Sequence, residues 1–458
     1  MAGEEDAPLL QRSRSYQGSS HWSKLKKSTM LFRAVFVLAI LTALAGGTWF
    51  IQRYLTHKQG LEKDLKPLVG YCNHIEPIPP TEYAKRHEKL AATLKNENAD
   101  ALVMEGGATM LYYTNIEWSL TERAFLVILK RDDNEPTGVS TTIVTPAFEA
   151  TRAQKALREA SLPAEIQPTL VEWLEYKSPF EAVEKVLVNT SHVIVEQNAR
   201  LFVYDGIANL DKQKKVTMAP RSIRMLRMIK SEAELKIMKC VNTLTELTIR
   251  AVRPHIKVGM AEQEIGDMME DSLQKVGLIK TWVLALVDEN AALPHGQAGN
   301  KRTTKHSTVL IDTGGELLGY QSDTTRTFFM GKRGYNETIE DAWYLVRRAQ
   351  ENVLNQTGHG MNCAQVDLTA RHVIEKGGYG RYFTHRLGHG IGEEMHEEPY
   401  MNQGNTEQVL APGMTFSVEP GIYITNEFGI RLEDIVVVKE DGKLEVLTSG
   451  LAQNPWTL

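Results

Sequence analysis

The sequence predicts an α/β domain followed by an α+β domain of repeated plan, both carried behind a single N-terminal transmembrane helix. Three observations lead there. Ala34 to Ile51 (AVFVLAILTALAGGTWFI) runs 18 residues without a charge, enough to cross a bilayer as a helix. From Tyr83 to about Pro220, short apolar runs alternate with helical patterns, as in an α/β unit. Beyond Arg221, a plan of two helices followed by carboxylate-bearing strands runs twice, which reads as an internal duplication of architecture.

A length of 458 residues suits two folded units with appendages. Hydrophobic content of 42% and charged content of 24% are ordinary for a globular chain, and a net charge of -5 offers no basic footprint for nucleic acid. The three cysteines, Cys72, Cys240 and Cys363, are widely separated and odd in number, so neither a disulfide framework nor a CxxC metal site is indicated. A bound metal would have to be held by oxygen and nitrogen.

Residues 1–30, rich in Ser, Arg, Lys and Gln without apolar period, read as a disordered cytosolic tail. Residues 31–52 form the membrane anchor. Lys24, Lys26, Lys27 and Arg33 precede the apolar run, while only Arg53 and Lys58 follow closely, so the N-terminus is expected in the cytosol and the remainder in a lumen or outside the cell, as in a type II membrane protein. The alternative, a cleaved signal peptide with Ala43 and Ala45 near the cut, fits poorly with the long polar segment ahead of the run. Sequons at Asn189, Asn336 and Asn355 fit a lumenal glycoprotein, although chance supplies a similar number. Glu5-Asp6-Ala7-Pro8-Leu9-Leu10 has the form of an acidic dileucine signal for endosome, lysosome or vacuole, and reads equally well as an acidic tip.

A stalk, 53–77, leads to Pro77-Ile78-Pro79-Pro80 and an α/β domain over 78–222. Strands are expected at 101–104, 125–129 and 193–195, with helices near 82–96 and 149–160. The second domain, 223–458, opens with the capping box Ser231-Glu232-Ala233-Glu234. Helices at 231–252 and 260–276 precede strands at 307–330, and helices at 338–357 and 364–377 precede strands at 415–438.

The chemistry lies on those strands. A turn centred between Leu317 and Leu318 would set Asp312 and Asp323 face to face, with Cβ atoms about 5 Å apart. Opposed like charges destabilise a sheet, and a hard divalent cation between them removes the repulsion. The same device recurs where a turn at 425–428 brings Glu419 roughly opposite Glu433, with Pro420-Gly421 disturbing the register. Either pair alone reads equally well as solvated strand carboxylates; two pairs in a repeated frame do not. Between them lies HRLGHGIG, with His385 and His389, followed by His396. Glycines flanking His389 permit close backbone approach, and imidazole supplies the nitrogen ligand that carboxylates lack.

These residues resemble the pita-bread metallopeptidases, the family of methionine aminopeptidase, prolidase and aminopeptidase P, over roughly 225–445. The resemblance implies a pita-bread catalytic domain in which Asp312 chelates one metal, Asp323 and Glu433 bridge two, and His389 with Glu419 completes the second. It also matches His295 (in LPHGQAG), His385 and His396 to accessory histidines of the proline-specific branch, and Arg431 to an arginine that supports a metal carboxylate or binds the substrate's end. The α/β unit resembles the smaller domain that creatinase, prolidase and aminopeptidase P carry in front. The implied activity is hydrolysis of Xaa-Pro bonds, by a dipeptidase or an aminopeptidase, through a hydroxide bridging two metals about 3.5 Å apart. Glu419 would act as general base, and His295 and His396 would stabilise the oxyanion. Carboxylate-rich ligation suits manganese, with zinc or cobalt as alternatives. Peptides with proline at the second position are the expected substrates, and dimers are common in the family. Two rivals, a metal-free creatinase-like hydrolase and a non-catalytic scaffold, are disfavoured by the intact ligand set.

Overall fold

Strands place successive side chains on opposite faces, so a sheet without charged faces needs cover on both sides. The computed structural model describes residues 59–331, 336–358 and 360–457, and its contacts divide the chain into Met1–Glu62 and Lys63–Leu458. The architecture below is that of the second unit. It begins with α1 (Pro80–Asn96), β1 (Ala101–Glu105), α2 (Ala108–Thr114), β2 (Leu126–Arg131), β3 (Val139–Pro146), α3 (Ala150–Glu159), β4 (Thr169–Trp173), α4 (Pro179–Val186), β5 (His192–Val195), α5 (Leu201–Ala208) and β6 (Lys215–Met218). The six strands form one mixed sheet in the order β4-β3-β2-β1-β5-β6.

Period-two sorting builds the core of this domain. Leu102, Met104, Val127, Leu129 and Ile194 meet Leu90 and Leu94 of α1 on one face. Ala101, Val103, Leu126, Ile128 and Val195 meet Val183 of α4 and Val203 and Ile207 of α5 on the other. Full burial of each such Val, Leu or Ile contributes roughly 1.5–3 kcal/mol before entropy is counted. The expected strands at 101–104, 125–129 and 193–195 and both expected helices are present. Strands β3, β4 and β6 escaped the sequence reading: β4 and β6 lie at the sheet's edges and bury little, with Thr169, Glu172, Lys215 and Met218 exposed, whereas β3 is an interior, buried strand.

Helix α6 (Arg221–Met228) leads into the second domain. There α7 (Glu232–Val252), α8 (Glu262–Lys275), β7 (Ile279–Val287), β8 (Thr308–Leu317), β9 (Tyr320–Gln321) and β10 (Thr324–Phe329) precede α9 (Glu337–Gln356), α10 (Cys363–Lys376), β11 (Gly388–Gly390), β12 (Glu397–Met401), β13 (Thr415–Val418), β14 (Gly421–Ile424), β15 (Phe428–Arg431), β16 (Asp434–Val438) and β17 (Leu444–Val446). The helix-helix-strand plan thus occurs twice. The capping box is formed: Ser231 Oγ accepts from Glu234 N, and the Glu234 carboxylate accepts from Ser231 N. Sheets of order β10-β8-β7 and β12-β11-β13-β16-β17 carry the two carboxylate pairs. Trp343, Val346 and Val353 of α9 and Val366, Ala370 and Ile374 of α10 pack on Phe416, Val418, Ile430 and Val436, which makes the carboxylate-bearing strands a rigid floor.

One expectation is corrected. Cys72 and Cys240 form a disulfide across 168 residues of sequence. Cysteine number and spacing did not reveal it, because the pairing depends on the 66–74 turns lying against α7. Cys363 is the buried free thiol. Among the described residues no helix is long and apolar enough to cross a membrane. The span expected at 34–51 and the dileucine stretch lie outside the described residues.

Candidate metal centre

A two-residue turn needing positive φ at both central positions aims the first carboxylate pair. Leu318 (φ 50°) and Gly319 (φ 87°) supply it, and Leu317 pairs with Tyr320. This centre lies one residue beyond the expected one, so the pairing shifts by two residues. Asp312 faces Thr325 instead of Asp323. Because the shift is even, Asp323 keeps the face of Asp312, diagonally placed, just before β10 begins. The second pair follows its expected register: Thr415↔Val437 and Val418↔Asp434, continued one step, set Glu419 opposite Glu433.

Close backbone packing brings His389 to the same point. A Cβ at Gly388 would lie 1.9 Å from the Ser417 carbonyl oxygen, and one at Gly390 would lie 2.3 Å from that of Glu398, so only glycine fits at either side. His389 Nδ1 donates to the Gly390 carbonyl at 3.1 Å, which leaves the Nε2 lone pair free. Nε2 lies 3.4 Å from Glu419 Oε1 and 3.7 Å from Asp323 Oδ2. Burial, reinforced by the neighbouring His396, pushes the His389 imidazole down to about 3, so it is neutral as ligation requires.

The donor atoms converge. Those of Asp312, Asp323 and Glu433 lie within 4.8 Å of one another, as do those of His389, Glu419 and Glu433, and those of Asp323, His389 and His396. Asp323 Oδ1 and Glu433 Oε1 are buried without a hydrogen-bond partner. Burial, and then the adjacent carboxylates, hold both acids well above the usual carboxylate range. Burial also raises Glu419, to about 7. Orphaned carboxylate oxygens crowded around one neutral imidazole are a poor way to stabilise a fold and a good fit to hard divalent cations.

Surrounding groups hold this cluster in place. Thr325 Oγ1 lies 2.7 Å from Glu433 Oε2 and 3.0 Å from Asp312 Oδ1, and accepts from Arg431 Nε at 2.9 Å. Arg431 also clamps Asp312 Oδ2. Asp323 N donates to Asn242 Oδ1 at 3.3 Å, and Arg326, fully buried, donates to the Glu433 carbonyl at 2.6 Å. Ser417 Oγ accepts from His389 N and donates to Glu419 Oε1 at 3.1 Å.

The accessory histidines divide into two kinds. His295 and His396 are exposed, and the His396 ring meets that of His389 edge-on with centroids 4.1 Å apart. His385 stands further back: Nδ1 donates to the Arg386 carbonyl at 2.6 Å, and Nε2 accepts from Tyr423 OH at 2.8 Å. Tyr423 in turn accepts from Arg431 Nη1 at 3.3 Å. Thr325, Ser417, Asn242 and Tyr423 were not singled out from sequence. Only Thr325 had a usable signal, as the residue opposite Asp312 once the turn is placed correctly.

Comparison with known proteins agrees with this geometry. Residues 236–440 match the model of metallopeptidase family M24, and residues 86–229 match that of the creatinase/prolidase N-terminal domain. A protein of Schizosaccharomyces pombe, named as an uncharacterized peptidase, is 37% identical over 393 residues, spanning 84% of this chain and 85% of its own. The prolidase of Thermococcus sibiricus superposes with TM-score 0.70 at 26% identity, covering 83% of this chain and 99% of that one. The X-Pro aminopeptidase of Thermotoga maritima superposes with TM-score 0.68 at 25% identity, covering 81% and 99%. The chain therefore belongs to metallopeptidase family M24, in the prolidase and aminopeptidase P branch, with a creatinase-type N-terminal domain ahead of a pita-bread peptidase domain.

Proposed function

We propose that this peptidase is a dinuclear metal-dependent exopeptidase that hydrolyses Xaa-Pro bonds, as a dipeptidase or an aminopeptidase. The observation that carries the reading is the convergence of five donor groups around the orphaned oxygens of Asp323 and Glu433. Asp312, Asp323, His389, Glu419 and Glu433 would hold two divalent cations, manganese first and zinc or cobalt as alternatives. Bound there, such cations acidify water and polarise the scissile carbonyl.

The chain's own groups do the rest. Glu419 takes the proton of the attacking water and delivers it to the leaving proline nitrogen. The nitrogen leaves as a neutral amine only when it is protonated, so this delivered proton is needed for departure. His295 and His396, both exposed, with His396 beside Asp323 and His389, bind the substrate and steady the developing oxyanion. His385 keeps Tyr423 in place, and Arg431, only 3% exposed, orients Asp312. The complete donor set disfavours a metal-free hydrolase or a scaffold on the same fold. The Cys72–Cys240 disulfide supports maturation in an oxidising compartment, in keeping with a type II anchor and a lumenal or extracellular catalytic domain. Self-association as a homodimer is expected and is read by light scattering.

Incubation with Mn²⁺ and either Ala-Pro or Ala-Pro-Ala tests the reading. Cleavage of the dipeptide alone identifies a prolidase-like enzyme; release of alanine from the tripeptide identifies an aminopeptidase. No cleavage of either, with Mn²⁺, Zn²⁺ or Co²⁺, contradicts it.

A further inference from the structure

The segment Glu393-Glu394-Met395-His396-Glu397-Glu398 puts four carboxylates around the histidine that faces the metal centre. Glu394, Glu397 and Glu398 are paired with cations of the connecting segment, and Glu393 lies near one from the N-terminal domain. Arg86 of α1, 1% exposed at its side chain, lies 3.8 Å from Glu393, to which Tyr320 also donates at 3.3 Å. Arg227 of α6 reaches Glu394 at 2.5 Å and Glu397 at 3.2 Å. Lys230 takes the other oxygen of Glu397, and Arg224 binds Glu398 at 2.7 Å.

Backbone hydrogen bonds pin the loop's ends: Gln321 N donates to the Gly392 carbonyl at 2.8 Å, Gly392 N to that of Glu394 at 3.0 Å, and Glu397 pairs with Gly390 between β11 and β12. Ile391 is its anchor in an apolar cluster. His396 itself lines a cavity of about 300 Å³ of mixed character, bounded also by Glu196, Ile223, Arg224, Arg227 and Glu394. Between those ends the stretch around His396 borders a hollow, and there the ion pairs of Arg227 fix its position. Buried pairs suit that task because breaking one leaves an uncompensated charge.

We infer that Arg227 is a positioning residue: by holding Glu394 and Glu397 it sets the loop so that His396 stays edge-on to His389 at the centre. The connecting helix α6 thereby tunes the site without touching substrate. This rests on the reading that His396 meets the substrate.

Arg227→Met and the milder Glu394→Gln, each made alone and with His396→Ala in the full-length protein, provide the test. Hydrogen exchange and Mn²⁺-dependent turnover of Ala-Pro and Ala-Pro-Ala are the readouts. Exchange should quicken in 391–398 and stay unchanged in β8 and β16, with metal content retained. In the wild-type background Arg227→Met should lower kcat/KM about 10-fold or more, as a displaced catalytic group does. In the His396→Ala background the loss should shrink below about 2-fold, because the two act as one unit. Glu394→Gln follows the same pattern more weakly and serves if Arg227→Met does not fold. Unchanged exchange, or equal losses in both backgrounds, overturns the inference. Full activity of His396→Ala overturns it together with the role given to His396. A failure of the metallopeptidase reading appears separately, as a wild type without metal or turnover, and exchange still decides the clamp.

Discussion

Thr325 places its hydroxyl oxygen 2.7 Å from Glu433 Oε2, across the seam between the two halves of the peptidase domain. The same oxygen lies 3.0 Å from Asp312 Oδ1, so one side chain sets the spacing of carboxylates from different hairpins. Thr325→Val keeps the shape and removes the hydroxyl. It is expected to weaken metal binding about 10- to 100-fold while the protein stays folded, as losses of outer partners do. Competition with a chelator measures this, and wild-type affinity in the variant would show the hydroxyl to be idle.

The hairpins show what sequence makes legible. Asp312, Asp323, Glu419 and Glu433 could be found because strand period and turn residues are local signals. Their face survived a misplaced turn, because moving the centre from Leu317/Leu318 to Leu318/Gly319 shifts the pairing by an even number. What depended on register itself, the Asp312–Thr325 pairing, was lost. Ser417 and Tyr423 act through contacts between strands that only the folded sheet creates, while Arg86 reaches its glutamate from the N-terminal domain and Arg227 from the connecting helix α6.

The Cys72–Cys240 bridge closes a loop of 168 residues, and such a link removes much of the freedom of the unfolded chain. Cys72→Ser should lower stability by about 2–5 kcal/mol, read as a lower urea midpoint. The bridge holds the 66–74 turns to α7, whose Asn242 accepts from Asp323 N, so loosening it should also speed metal loss. A variant matching the wild type in both would rule out a structural role for the bridge.

Glu196 provides a pH test away from the centre. Burial pushes its carboxyl up to about 7; Glu394 and Glu105 push the same way, against Thr109 and Arg227. The folded chain therefore keeps a proton that the unfolded chain releases above its ordinary value of 4.5. Stability from this group is full at low pH and falls as pH rises through that interval. The melting temperature of Glu196→Gln should decline less than that of the wild type between pH 5 and 7.5. Parallel declines would assign the effect elsewhere.

Elemental analysis of the purified full-length protein, beside Asp323→Asn, bears most directly on the central claim. The wild type should carry about two divalent transition-metal ions per chain, and Asp323→Asn should lose them together with peptide hydrolysis while remaining folded. A wild type that is folded and metal-free, or an Asp323→Asn protein that is metal-free and fully active, would contradict a dinuclear centre built on Asp312, Asp323, His389, Glu419 and Glu433.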